Sequence, residues 1–166
     1  RVIGYKVGCT SASIRAQLGI DHCVTGRLFD SERHESGTQL SLREFAHLAI
    51  EGELAVELER EPNEREFECT GIPECVKRVL PVIELHHYLM RGSKPSAGEL
   101  IANNAIHAGF VAGAGVRPND ICGERSLDSL ALSIFADGRM LVECDGPALL
   151  NTINSSLRWL MEVVRD

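Results

Sequence analysis

The sequence lacks any Cys-x-x-Cys pair, although it holds six cysteines, Cys9, Cys23, Cys69, Cys75, Cys122 and Cys144. Thiols scattered in this way argue against a disulfide framework and against a zinc site of cysteines, and read as the reduced thiols of a cytoplasmic protein. No apolar run approaches the roughly 20 residues that cross a bilayer, and no signal-peptide pattern opens the chain. Basic charge is short as well. Against 24 Asp and Glu stand 17 Lys and Arg, and the formal net charge of −7 argues against a nucleic-acid surface. Repeats, low-complexity tracts and linkers are also missing, so residues 1–166 read as one domain. With 44% hydrophobic and 25% charged residues, the composition is globular and the length suits a genuine core. The chain enters at Arg1, with no Met, straight into an apolar segment, and reads as a piece of a longer protein.

Local pattern predicts a mixed α+β fold. Val2 to Val7 reads as a strand carrying Lys6, followed by a helix from Ser13 to Leu18 that stops at Gly19. Gly26 to Asp30 reads as extended or turning and 33–41 as polar loop. Pro73 to Val79 reads as a short helix ended by Pro81, with Val82 to Leu85 a buried strand. Ala97 to Ala108 is ambiguous. Leu130, Leu132 and Ile134 alternate with small residues and turn at Asp137-Gly138 into Met140 to Cys144, a hairpin. A final helix, capped by Asp145, lays Leu149, Leu150, Ile153, Leu157, Leu160, Met161 and Val164 along one face.

The chemistry concentrates in carboxylates. In Ile50-Glu51-Gly52-Glu53-Leu54, the two acids point the same way on a strand, about 7 Å apart at their Cα atoms. Like charges that close repel unless solvent or a cation separates them. Glu84 sits inside an apolar run, where a carboxylate is costly unless it is paired or binds a metal. Three hard oxygen ligands with room for water and substrate describe a Mg2+ or Mn2+ site. Two other readings stand beside this one. Glu57 and Glu59 continue the acidic face as a solvated edge would, and 42–54 also carries Leu42, Phe45, Leu48 and Ala49 at helical spacing.

Motifs in order along the chain carry a resemblance. Gly4-Tyr5-Lys6-Val7-Gly8-Cys9-Thr10-Ser11, Gln17-Leu18-Gly19-Ile20-Asp21, Gly26-Arg27-Leu28-Phe29-Asp30, Glu51-Gly52-Glu53-Leu54-Ala55, Leu80-Pro81-Val82-Ile83-Glu84 and Ile101-Ala102-Asn103-Asn104-Ala105 follow one another. Together they resemble 2-oxopent-4-enoate hydratases and the sister 2-oxo-3-hexenedioate decarboxylases of the fumarylacetoacetate hydrolase superfamily. The resemblance implies a β-rich mixed fold like the C-terminal domain of that superfamily, without the family's N- and C-terminal segments. It implies a lyase of aromatic meta-cleavage catabolism acting on short 2-oxo or 2-hydroxydienoate acids. Glu51, Glu53 and Glu84 would be the ligands of Mg2+ or Mn2+, Lys6 the catalytic proton carrier, and Asn104 a substrate contact. His86, two residues beyond Glu84, would bind the substrate carboxylate or supplement the metal shell, against the alternative of an ordinary hydrogen-bonded histidine. Open sheet edges imply a homo-oligomer or association with a related subunit.

The chain departs from the family where acid–base chemistry is expected. Val24 stands where an acid would work with the lysine, Asn103 replaces an Asp, and His86-His87-Tyr88 follows Glu84-Leu85. Metal binding is therefore better supported than turnover. A non-catalytic binding or scaffold member competes with the lyase, and an acylpyruvate hydrolase lacks its His/Glu pair here. Cys9 reads as a packed small residue, and His22, His34, His47 and His107 show no ligand spacing.

Overall fold

In a computed structural model, alternating and helical apolar patterns resolve into eight strands and three α-helices among the described residues. It describes residues 1–67, 71–92, 94–121 and 131–165, with backbone only at 121 and 145–151. Leu130, Cys69, Cys122 and the side chains of Asp145, Leu149, Leu150 and Asn151 lie outside the described residues. The strands are β1 (Val2–Gly8), β2 (Val24–Phe29), β3 (Arg33–Glu35), β4 (Ala49–Leu58), β5 (Val76–His86), β6 (His107–Ala112), β7 (Ala131–Ala136) and β8 (Arg139–Asp145). The helices are α1 (Ala12–Leu18), α2 (Ala97–Ala102) and α3 (Gly146–Arg165). Among the described residues β1 pairs with β2, β7 with β8, and a sheet runs in the order β3-β6-β5-β4. No helix among them is long and apolar enough to cross a membrane.

Two compact units share the chain. One comprises Arg1–Glu51 and Ile83–Ala112, the other Gly52–Val82 and Gly113–Asp166. In the first, β1 and β2 are antiparallel, with Lys6 opposite Gly26 and Gly8 opposite Val24. Helix α1 between them ends where Gly19 turns left-handed at φ 67°, its N–H and that of Ile20 returning to the carbonyls of Ala16 and Arg15. In the second, Cys75, Val76 and Val79 pack with Ile153 and Leu157 of α3, flanked by Leu54, Val56, Phe67 and Ile72.

Three local expectations change. The helix read at 73–79 is a single turn, closed by the Val76 N–H on the Pro73 carbonyl, and the chain is extended from Val76. Burial of the β-branched Val76 and Val79 in a sheet outweighs the helical start signal of Pro73. Pro81 does not end the element either. Its carbonyl accepts the Gly113 N–H at 2.9 Å, and a Cβ at Gly113 would lie 2.9 Å from the Pro81 ring, so glycine permits the approach. The polar stretch 33–41 contains β3, which pairs in parallel with β6, a long-range contact invisible to local pattern.

An acid-sensitive clamp holds the turn before β5. Glu66, its side chain 6% exposed, takes both terminal nitrogens of Arg60 and the N–H groups of Asn63 and Cys75. The guanidinium first, then the backbone donors, outweigh burial and hold its carboxyl at about 2 instead of 4.5. Because the folded value is the lower one, this stabilisation is complete above pH 4.5 and fades as pH falls through about 2. Thermal melts from pH 5 to 2 are expected to show a steeper decline in the wild type than in Glu66→Gln.

Candidate metal centre

The inward face of β5 carries the site. Residues two apart on a strand share a face, and Val82, Glu84 and His86 are all buried. Glu84 is 2% exposed, a carboxylate more enclosed than any described Val, Leu, Ile or Ala side chain. Its two oxygens have different surroundings. Oε1 accepts from Lys6 Nζ and lies 2.5 Å from His107 Nδ1. Oε2 lies 3.2 Å from His86 Nε2, yet neither atom has a hydrogen-bond partner. Burial by itself would raise the Glu84 carboxyl, but His107, then His86 and Lys6, outweigh it and hold the group well below the ordinary carboxylate range.

A strained turn brings Lys6 and His107 to Glu84. Asn104, Ala105 and Ile106 are all left-handed, at φ 51°, 53° and 56°. Such a conformation costs roughly 1–2 kcal/mol per L-residue, so the surroundings must hold it. Asn104 does much of this, since its Oδ1 accepts the Arg27 N–H at 2.7 Å and its Nδ2 donates to the Arg27 carbonyl at 2.9 Å. The turn then offers the Ala105 carbonyl to Lys6 Nζ at 3.5 Å and starts β6 with His107 facing Glu84. Gly26 makes room for both partners: a Cβ there would lie 2.9 Å from Lys6 Cγ and 3.0 Å from the Asn104 carbonyl oxygen. Gly26→Ala is expected to lower stability by about 1–3 kcal/mol through overpacking. It should also impair any activity that depends on Lys6, as urea denaturation and steady-state rates would check.

Glu51, at the start of β4, completes a cluster. One ligand atom from each of Glu51, Glu84 and His86 lies within 4.8 Å of the others. Ligands about 2.1 Å from an octahedral cation sit about 3 Å apart, close to the separation of Glu84 Oε2 and His86 Nε2. With the proton of a neutral His86 on Nδ1, Glu84 Oε2 and His86 Nε2 would face each other as two buried acceptors and suit a cation, which the donor set fits.

Of the residues singled out from sequence, Lys6, Glu51, Glu84 and His86 come together. Glu53 shares the face of Glu51 by strand period, is half-buried, and lies in the second unit. Asn104 spends its side chain on the backbone of Arg27. Val24 is buried at 3% exposure where the acid was expected. His107 and Glu32 were not anticipated. His107 Nε2 lies 3.7 Å from Glu32 Oε2, again with both atoms buried and unpartnered. The ambiguous 97–108 stretch hid the strand that aims His107, and no spacing rule links Glu32 to it.

No protein-family model matches the chain. It is 28% identical over 162 residues to a 2-keto-4-pentenoate hydratase of Burkholderia vietnamiensis, covering 98% of this chain and 61% of the relative. It is 29% identical over 167 residues to a 4-oxalocrotonate decarboxylase of a Pseudomonas species, covering 99% of this chain and 61% of the relative. Among solved structures, 4-oxalocrotonate decarboxylase from Pseudomonas putida G7, complexed with magnesium and adipate, matches with a TM-score of 0.81 at 19% identity. That match covers 99% of this chain and 62% of the other. This chain thus spans about three fifths of the length of the proteins it matches. Its fold is the mixed, strand-rich fold of 4-oxalocrotonate decarboxylase, and the hydratases and decarboxylases to which its motifs point are the proteins its whole sequence resembles.

Proposed function

We propose that this chain carries the metal site of a lyase acting on short 2-oxo or 2-hydroxydienoate acids. The divided Glu84 carboxylate is the observation that supports this most. One oxygen is anchored by Lys6 and His107. The other is left facing His86 Nε2 without a hydrogen-bond partner, beside Glu51. Glu51, Glu84 and His86 would hold Mg2+ or Mn2+, which when bound supplies Lewis-acid stabilisation of negative charge developing on a 2-oxo acid. Lys6 would deliver a proton from Nζ to the carbon skeleton as a dienol ketonises, with Glu84 and the Ala105 carbonyl fixing where the ammonium points. His107 would keep Glu84 oriented.

His86 gives the site a nitrogen donor among carboxylates. Imidazole favours Mn2+ over Mg2+ more than oxygen ligands do. Calorimetry is expected to show Mn2+ binding tighter by on the order of tenfold, with the preference shrinking in His86→Asn. The expectation that Glu53 is a further ligand is tested by Glu53→Gln in the same titration.

Val24 favours decarboxylation over hydration. Its buried isopropyl group offers no base to activate water, whereas loss of carbon dioxide from an unsaturated 2-oxo diacid requires only that one proton return to carbon. Ultraviolet assays of 2-hydroxypenta-2,4-dienoate and of 4-oxalocrotonate with Mg2+ or Mn2+ test both readings. Metal-dependent loss of the diacid that fails in Glu51→Gln is the expected result. No turnover of either compound by folded, metal-loaded protein would leave the non-catalytic reading in its place.

A further inference from the structure

Cysteines far apart in sequence become neighbours through strand register. Gly8 of β1 lies opposite Val24 of β2 as the last pair of the ladder, so Cys9, turning left-handed at φ 58°, and Cys23 are the residues that immediately flank that pair. Directly opposed residues of antiparallel strands, such as Gly8 and Val24, have Cα atoms about 4.5–5.5 Å apart, so the two cysteines leave the ladder from neighbouring points, and a disulfide between them needs Cα atoms roughly 4.4–6.8 Å apart. The side chain of Arg15 supports the pairing. Its Nη1 donates to the Cys9 carbonyl at 2.9 Å and lies 3.9 Å from Cys23 Sγ, so one nitrogen touches both residues. Both cysteines are free and half-buried, whereas Cys75 is buried in the second unit. Burial pushes the Cys9 thiol up, and Cys23 is the next influence on it, ahead of Lys6 and Glu51.

We propose that Cys9 and Cys23 form a reversible disulfide site whose co-substrate is a low-molecular-weight disulfide. One thiolate attacks a sulfur of that disulfide, breaking its S–S bond and releasing one small thiol. The second cysteine then attacks the mixed disulfide, forming Cys9–Cys23 and releasing the other small thiol. The two cysteine protons end on the two released thiols, the protein pair is oxidised, and the small disulfide is reduced. The bond joins the outer ends of β1 and β2 across the loop that contains α1, three residues beyond Lys6. It stands independently of the metal reading.

The test is incubation of the intact chain with glutathione disulfide, followed by tryptic mapping without reductant. Peptides Val7–Arg15 and Ala16–Arg27 each hold one of the two cysteines. Their recovery as a linked pair, with a rise in melting temperature that reductant reverses, is expected. Cys9→Ser should stop at a glutathione adduct on Cys23 and lose the temperature rise. Glutathione adducts on both cysteines without a link, or links only to other cysteines, would overturn the proposal.

Discussion

Glu84→Gln is expected to abolish divalent-cation binding and to lower the unfolding free energy of the metal-free protein by about 3–5 kcal/mol. The substitution removes one charge from a pair in which Lys6 is 9% exposed and Glu84 2%. The Lys6 ammonium is then left in a poorly hydrated position with the Ala105 carbonyl at 3.5 Å as its remaining partner of record. A glutamine has one acceptor oxygen and a donating Nε2, so it cannot keep an oxygen toward Lys6 and His107 and also present one to the cation, and its oxygen is a weaker cation ligand. Metal-free urea denaturation measures the first effect and Mn2+ calorimetry the second. His86→Asn separates them, since it removes a proposed ligand without unpairing Lys6; its metal affinity should fall while its stability falls less. Equal stability of Glu84→Gln and wild type would mean that the Lys6 pair contributes nothing.

The second large effect is kinetic. Lys6→Met is expected to lower turnover by about 10²–10⁴-fold, the usual worth of a positioned acid–base group, while Mn2+ affinity stays within about tenfold of wild type. The reason is the division of labour on Glu84. Lys6 engages Oε1, whereas the cation would use Oε2 with His86 and Glu51. Methionine retains the stem packed over Gly26 but carries no proton. Steady-state rates beside calorimetry on the same preparation check the split. Metal affinity falling in step with turnover would make Lys6 a support of the metal site and remove it from proton transfer.

Residues on strongly alternating segments were readable in the sequence. Val82-Ile83-Glu84-Leu85 announced a buried strand with a carboxylate that needed partners, and the strand-bound Lys6 was among them. The hairpin of β7 and β8 and the long C-terminal helix followed from turn chemistry and helical period. What escaped depended on tertiary contact. The left-handed turn at 104–106 uses ordinary residues with no glycine to mark it, and it is held by side-chain bonds from Asn104 to a residue 77 positions away. That turn aims His107, so the histidine stayed invisible too. The short strand β3 owes its conformation to β6. The approach of Cys9 and Cys23 beside the Gly8–Val24 pair required the β1–β2 register, which spacing alone does not supply.

On the proposed reading, Glu51, Glu84 and His86 bind a divalent cation that in turn receives a 2-oxo acid. Calorimetric titration of oxalate, a planar mimic of the enolate, tests it most directly, first with Mg2+ or Mn2+ and then with chelator. The expected result is a saturable heat in the presence of metal that disappears with chelator and in Glu51→Gln. Oxalate binding that is indifferent to chelator, or no oxalate binding by folded protein in excess metal, would contradict the account.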